Sequence, residues 1–334
     1  MSQKILITGA AGFIGSRLAD HLNALGHEVV GCDIFNARNQ FFDVGDAHRL
    51  LVQRLRSERL EKFFSKNGIE YKAIDISDSN EVERLFNNTK PDVVVHLAAQ
   101  AGVRHSVKAP KDFVKSNLNG FSNVLDACHR FNVRKFLYAS SSSVYGARSD
   151  APFLEHERCD SPESFYAATK MANEMMARAY YAQYKTPSIG MRFFTVYGPW
   201  GRPDMAPLLF AQKMKKQQPI QLFGNGILKR DFTFVGDTVD AVRKLIDIDT
   251  SHFGADVVNV GHSNPTEVRQ FVEILSECLG IQPHIELAPM QVSDVPMTCA
   301  SDTKLIEMIG EWPETPLRDG LKEMTHWFEQ WYRP

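Results

Sequence analysis

The run Lys4-Ile-Leu-Ile-Thr8, followed at once by Gly9-Ala-Ala-Gly12-Phe-Ile-Gly15, constrains this chain more than any other feature. The apolar stretch reads as a buried strand, and Ile14–Leu25 behind it reads as an amphipathic helix. Glycines at these three places permit a tight turn, close approach of backbone to a pyrophosphate, and close packing of helix on strand. The pyrophosphate then rests on free backbone N–H groups at the helix N-terminus, a stretch that takes in Phe13 and Ile14. A purely structural turn would use the same triplet. The context favours a nucleotide, because Asp33 closes the second strand about 20 residues on, where a dinucleotide fold places a carboxylate for ribose hydroxyls. That carboxylate repels a 2′-phosphate, which favours NAD over NADP. Asp75 reads two ways, as a group at the adenine edge or as a turn or cap aspartate. Asn117 also reads two ways, as a satisfied helix residue or as a group ordering the site.

The glycine turn opens a longer rhythm. Glu28–Cys32, Tyr71–Ile74, Val93–Leu97 and Lys135–Ala139 are short, nearly continuous apolar runs, as a parallel sheet covered on both faces requires. Helical stretches lie between them at His48–Lys66, Glu81–Phe86 and Val114–Phe131. The alternation predicts an α/β fold, a Rossmann-type doubly wound parallel sheet. From about Ser188 prolines and glycines gather, and strands and helices intermix, with a helix expected at Glu267–Leu279. We therefore expect a dinucleotide-binding domain over 1–187 and a smaller α+β lobe over 188–334 that interleaves with it and binds the substrate.

Composition removes several classes of partner. With 38 Lys+Arg against 40 Asp+Glu in 334 residues, no global basic field draws the chain to nucleic acid or to an anionic membrane. Five scattered cysteines without a C-x-x-C spacing argue against a disulfide framework and against a zinc site, and fit a reducing cytoplasm. The chain enters a strand at Lys4 with no charged-then-apolar leader, and its longest apolar stretch, near Val93–Ala99, is too short for a bilayer. A cytoplasmic enzyme is the expectation.

Tyr166-Ala-Ala-Thr-Lys170 carries the chemistry. A spacing of four puts phenol and ammonium on one helical face. A tyrosine serving as base near pH 7 must fall about 3 units from its ordinary value near 10, or roughly 4 kcal/mol. One ammonium about 4 Å away, at an effective dielectric of 20, supplies about that much. Ser140-Ser-Ser-Ser143 ends the Lys135–Ala139 strand, at the carboxyl edge where such sheets bind ligands. A hydroxyl there can bond both the phenolate and a substrate oxygen. The alternative is a serine-rich turn capping the next element.

Together these residues resemble the extended short-chain dehydrogenase/reductase family, and the likeness covers nearly the whole chain. Within that family, His96–Val107 (HLAAQAGVRHSV), Ser140–Gly146 (SSSSVYG) and Arg192–Met205 (RFFTVYGPWGRPDM) resemble the branch of nucleotide-sugar 4-epimerases acting on UDP-glucuronate. The resemblance implies NAD retained through turnover, with Tyr166 as base, Lys170 lowering its pKa, and Ser141 as the bridging hydroxyl. It also implies Ile76, Leu97, Ala98 and Ala99 along the cofactor. Tyr166 takes the proton of the sugar 4-OH while hydride leaves C4; the ketone turns over, and hydride returns to the other face. Dehydratases of the family carry an Asp-Glu pair where this chain has Ser142 and Ser143, and uronate decarboxylases carry a Glu. Without a carboxylate there, acid–base work at C5 or C6 lacks its usual agent.

A 4-keto uronate can lose carbon dioxide, so an epimerase must hold the carboxylate out of overlap with the carbonyl. The resemblance places Thr195 and Arg202 at that carboxylate, with Arg104 nearby; a surface arginine in a Pro-Gly loop is the other reading of Arg202. It further implies Arg230 at the diphosphate, Asp294 at the ribose, and Gln291 where many relatives have arginine. Asn36–Lys66 departs from the family's usual wording, and its LLVQRLRSERLEKFF segment reads as a helix over the cofactor, with Arg38 and Arg49 on a solvated basic face. Apolar residues on more than one face of Val114–Phe131 and Phe165–Tyr184 fit either a thick core or a homodimer through a four-helix bundle, as the family implies. Rival activities are a 4-epimerase of a neutral UDP-hexose or UDP-N-acetylhexosamine, a UDP-glucuronate decarboxylase, and a non-catalytic NAD-binding regulator.

Overall fold

The computed structural model describes residues 2–34, 46–148, 150–249, 254–290 and 294–332. Its first half runs β1 (Lys4–Thr8), α1 (Phe13–Ala24), β2 (Glu28–Asp33), α2 (Asp46–Arg59), β3 (Glu70–Ala73), α3 (Ser79–Thr89) and β4 (Val93–His96). The short α4 (Val103–Lys108) and α5 (Pro110–Phe113), then α6 (Phe121–Arg130), lead to β5 (Lys135–Ser141) and the long α7 (Phe165–Tyr184). Beyond it come β6 (Ser188–Phe193), β7 (Thr195–Tyr197), α8 (Ala206–Lys215), β8 (Ile220–Phe223), β9 (Lys229–Phe234) and α9 (Val235–Asp247). The chain closes with β10 (Ala255–Val260), β11 (Pro265–Glu267), α10 (Val268–Leu279), β12 (Ile285–Ala288), α11 (Thr303–Ile309) and α12 (Leu317–Trp331).

Seven strands form one sheet in the order β10-β6-β5-β4-β1-β2-β3, and every pairing in it is parallel. This is the Rossmann-type sheet that the alternation predicted. Burial on both faces follows directly from the side-chain period of two. Ile5 and Ile7 of β1 pack in one core cluster with Val95 and Leu137, while Leu6 between them packs in the other with Val30, Val94 and Phe136. Full burial of each such side chain is worth about 1.5–3 kcal/mol. β6, which begins at Ser188, and β10 complete this sheet. The later part of the chain adds the small sheets β11-β9-β7 and β12-β8.

Two helices differ from the expectation. Val114–Phe131 divides, because Val114–Gly120 winds as a π-helical stretch ahead of α6. Gly120 lies against Ile76 so closely that a Cβ would meet its Cδ1 at 2.7 Å, and the wider turn aims Asn117 inward. His48–Lys66 likewise becomes α2, a π-helical turn at Leu60–Phe64 and a 3₁₀ turn at Ser65–Asn67, stopped by Gly68 at φ +67°. Among the described residues no helix is long and apolar enough to cross a membrane.

Candidate active site

Strand order reverses between β1 and β4, and the crevice outside their carboxyl ends is where an open parallel sheet takes its ligand. A cavity of about 1050 Å³ opens there and runs into the later part of the chain. Gly9, Gly12, Phe13, Ile14, Gly15, Asp33, Ile76, Leu97, Ala98 and Ala99 line one end of it. Gly9 holds φ +72°, and a Cβ on it would sit 2.6 Å from the Ala98 nitrogen. A Cβ on Gly15 would sit 2.4 Å from the Gly9 carbonyl oxygen. The backbone itself therefore forms the cradle, with no room for side chains, and the residues fit a dinucleotide pyrophosphate.

Asp33 is more committed than the sequence suggested. One carboxylate oxygen accepts the Ala11 N–H at 3.1 Å, and the other accepts Arg56 at 2.6 Å. Arg56 and Arg59 of α2 are both buried and line the same cavity, so this helix does cover it, but with two arginines facing inward. The basic residues of the segment are thus not all on a solvated face. Arg49 is half-buried, and Arg38 lies outside the described residues. A signal was available in the spacing, since Arg56 and Arg59 follow Val52 and Leu55 at four-residue intervals on the apolar stripe.

Asp75 lines the cavity, but its carboxylate is drawn to a turn: Oδ1 accepts the Ser77 N–H and hydroxyl, and Oδ2 accepts Lys115 at 2.9 Å. Asn117 does not line the cavity. Its Oδ1 accepts the Gln100 N–H at 2.7 Å while its Nδ2 donates to the Gln100 carbonyl and to Thr169 Oγ1. It therefore orders the strand-end loop after β4 against α7, as a buried amide with its partners within the protein.

Ser164 starts α7 by accepting the Ala167 N–H at 3.0 Å, which sets Tyr166 and Lys170 in the first two turns on one face. Lys170 Nζ donates to the Ala139 carbonyl at 2.7 Å, pinning the helix to the end of β5. Ser141, two residues on, caps the turn that follows by accepting the Ser143 N–H, and it is near enough to the Tyr166 hydroxyl to pull that phenol's pKa down. The run is thus a capping turn that also stands beside the tyrosine. Ser142 and Ser143 line the cavity beside them.

The electrostatics differ from the simple pair. Lys170 Nζ is 6.0 Å from the Tyr166 ring centre and is held by the Ala139 carbonyl, so its ammonium faces the tyrosine ring from the end of β5. Burial raises the Tyr166 phenol, while the Ser141 hydrogen bond and the Arg202 cation pull it down. Burial also lowers Lys170 to about 8, against the opposing charge of Glu174 one turn on.

The later part of the chain brings up the remaining groups. Thr195 opens β7, and Arg202 reaches the same cavity, bound to Asp204 through Nε at 3.1 Å and Nη2 at 2.6 Å and donating to the Ala101 carbonyl. Arg104 lies over the Phe223 ring and 3.9 Å from Asp294. Arg230 and Asp294 line the cavity as well, whereas Gln291 lies outside the described residues.

A parallel sheet with a nucleotide cradle at its switch point, and a tyrosine, lysine and serine at the next strand end, defines a dinucleotide-dependent enzyme that moves hydride and a proton. The chain belongs to the NAD dependent epimerase/dehydratase family, whose model matches residues 5–261, and its cofactor is NAD. It is 38% identical over 345 residues to "Protein CapI" of Staphylococcus aureus, covering 99% of each chain. It is 36% identical over 346 residues to a "Probable UDP-glucuronate 4-epimerase" of Rhizobium meliloti, covering 99% of this chain and 98% of the other. Among solved structures it is similar to UDP-glucuronic acid 4-epimerase from Bacillus cereus in complex with UDP-glucuronic acid and NAD. There the TM-score is 0.86 at 29% identity, over 98% of this chain and 99% of that one.

Proposed function

We propose that this protein interconverts UDP-glucuronate and UDP-galacturonate by NAD-dependent oxidation and re-reduction at C4 of the sugar. The observation that carries the reading is Arg202. Its guanidinium lines the cavity that Tyr166, Ser141 and Thr195 also line, and its charge acts on the Tyr166 phenol. A hydrogen bond to a charged group is worth about 1.5–3 kcal/mol, enough for roughly ten- to hundredfold preference for a carboxylate over a neutral hexose. The similarity to the Rhizobium meliloti and Bacillus cereus proteins, both named for UDP-glucuronate, supports the same substrate.

NAD, when bound, supplies the hydride acceptor and donor, and its cationic ring adds to the charge favouring phenolate. The protein's own groups do the rest. Tyr166 accepts the 4-OH proton and returns it, Ser141 holds that oxygen, and Lys170 keeps a positive charge behind the tyrosine. Arg202 and Thr195 hold the carboxylate where its C–C bond does not align with the ketone, which guards against decarboxylation. Ser142 and Ser143 bring no carboxylate to C5 or C6. Arg230 would meet the diphosphate and Asp294 the ribose. A homodimer through a four-helix bundle of the Val114–Phe131 and Phe165–Tyr184 segments belongs to this reading, with Val114, Phe165, Met175 and Tyr184 exposed on them; light scattering at twice the chain mass would bear it out.

The test is to incubate the protein with UDP-glucuronate and follow the sugar protons by NMR. UDP-galacturonate is the expected product. A UDP-pentose would mean decarboxylation, and turnover of UDP-glucose alone would mean a neutral-sugar epimerase. Arg202→Ala and Thr195→Ala are expected to weaken uronate use and release UDP-pentose; unchanged kinetics and product purity in both would refute the carboxylate assignment.

A further inference from the structure

Arg59 is a buried cation for which no carboxylate lies within ion-pair distance among the described residues. It stands at the last turn of α2, only 4% exposed, and spends its guanidinium on backbone carbonyls from two distant places. Nη1 donates to the Ala11 carbonyl at 3.1 Å, inside the glycine turn. Nη2 donates to the carbonyls of Trp200 and, at 3.0 Å, Gly201, the residue that precedes Arg202.

Both ends of this bridge need holding. Trp200 sits at φ +66°, a left-handed backbone that is costly for a large side chain and persists only where its surroundings over-determine it. Its ring is fixed edge-on to Phe63 at 5.5 Å and against Trp327 at 5.2 Å, and Lys62 lies over it. Phe63 and Lys62 come from the π-helical turn that directly continues α2, so one element grips both the ring and the carbonyl of Trp200. On the other side the Ala11 carbonyl belongs to the turn whose N–H groups must face the pyrophosphate. Burial of the guanidinium lowers its pKa to about 9, with Arg56 and Arg202 adding to that fall, which is the electrostatic cost of placing a cation there. A group kept at that cost through three carbonyl bonds is a positional device.

We propose that Arg59 is a positioning residue that clamps the cofactor turn at Ala11 to the Trp200–Gly201 backbone, so that pyrophosphate binding and the aim of Arg202 are set together. The aim of Arg202 at a uronate carboxylate rests on the function proposed above; the effect on cofactor retention does not. Lysine at this position keeps the charge but lacks the fork, and one nitrogen cannot serve both segments in the same geometry. Losing one hydrogen bond to a charged group is worth roughly ten- to a hundredfold.

The experiment compares holoenzyme of the wild type, Arg59→Lys, Arg59→Met, Arg202→Ala and Leu305→Ala, the last a fully buried core truncation in α11 that controls for stability. Three quantities are read: the rate at which bound NAD is lost on dilution, the UDP-pentose fraction formed from UDP-glucuronate, and the melting temperature. Arg59→Lys is expected to lose NAD at least tenfold faster and to raise the pentose fraction toward that of Arg202→Ala. Leu305→Ala, at an equal or larger fall in melting temperature, should change neither. Wild-type NAD retention in Arg59→Lys, or the same changes in Leu305→Ala, overturns the clamp. A pentose fraction raised by Arg202→Ala and untouched by Arg59→Lys overturns its aiming role. If Arg202→Ala itself leaves the product pure, the carboxylate reading falls, and NAD retention alone decides the clamp. Should Arg59→Met fail to fold, Arg59→Lys still carries the test.

Discussion

Replacing Glu174 by glutamine should strike stability and catalysis through one buried contact. Glu174 and Arg192 have side chains only 2% and 3% exposed. They form a two-pronged pair, Nη2 to Oε2 at 2.8 Å and Nε to Oε1 at 2.9 Å. Ser140 Oγ donates to the same carboxylate at 2.6 Å, and Arg192 also donates to the Tyr145 hydroxyl at 2.9 Å. Glu174→Gln keeps the shape but leaves the guanidinium buried without its counter-charge, which costs about 3–5 kcal/mol. The folding equilibrium should therefore fall by roughly 150- to 5000-fold. Urea unfolding of the NAD-saturated protein, followed by circular dichroism, measures it. Glu174 is also the group that holds the Lys170 ammonium up against burial. The alkaline fall of kcat should accordingly move to lower pH in the variant. Adding Arg192→Met removes the orphaned charge, so the double variant should be destabilised by less than the sum of the two single ones. An unfolding midpoint within error of the wild type, or strict additivity, would refute the reasoning.

Gly15→Ala should abolish NAD retention, since its Cβ would press on the Gly9 carbonyl oxygen at 2.4 Å and neither backbone can yield; stoichiometric NAD in the purified variant would contradict this. kcat should decline as pH rises through about 8, where Lys170 loses its charge. The linked stability runs the other way. Because folding depresses this lysine below its ordinary value near 10.4, the folded state binds the proton more weakly, and Lys170 makes a contribution to stability that rises from about pH 8 to pH 10.4. Lys170→Met should remove both trends, which a pH-rate profile and denaturation at several pH values would read.

Much of this was legible in the chain itself, and for a local reason. Strand periodicity, glycine spacing and the Tyr166–Lys170 interval all act within a turn or two, so β1, the cradle and the face of α7 could be read without neighbours. The run of four serines marked a strand end for the same reason. What the chain could not declare is which distant group each polar side chain meets. Asn117 is settled by Thr169, 52 residues on, and by Gln100. Asp33, legible as an acidic strand end, is shared with Arg56, from a segment legible as a helix over the cofactor but not as one whose arginine meets this carboxylate. Arg59 meets Trp200 at a separation of 141 residues. Amphipathic spacing tells which stripe of a helix turns inward, and a guanidinium on that stripe is tolerable only where carbonyls or a carboxylate await it. Their arrival depends on the packing of α2 over β1, β2 and the loop after β7, and that is a property of the assembled fold.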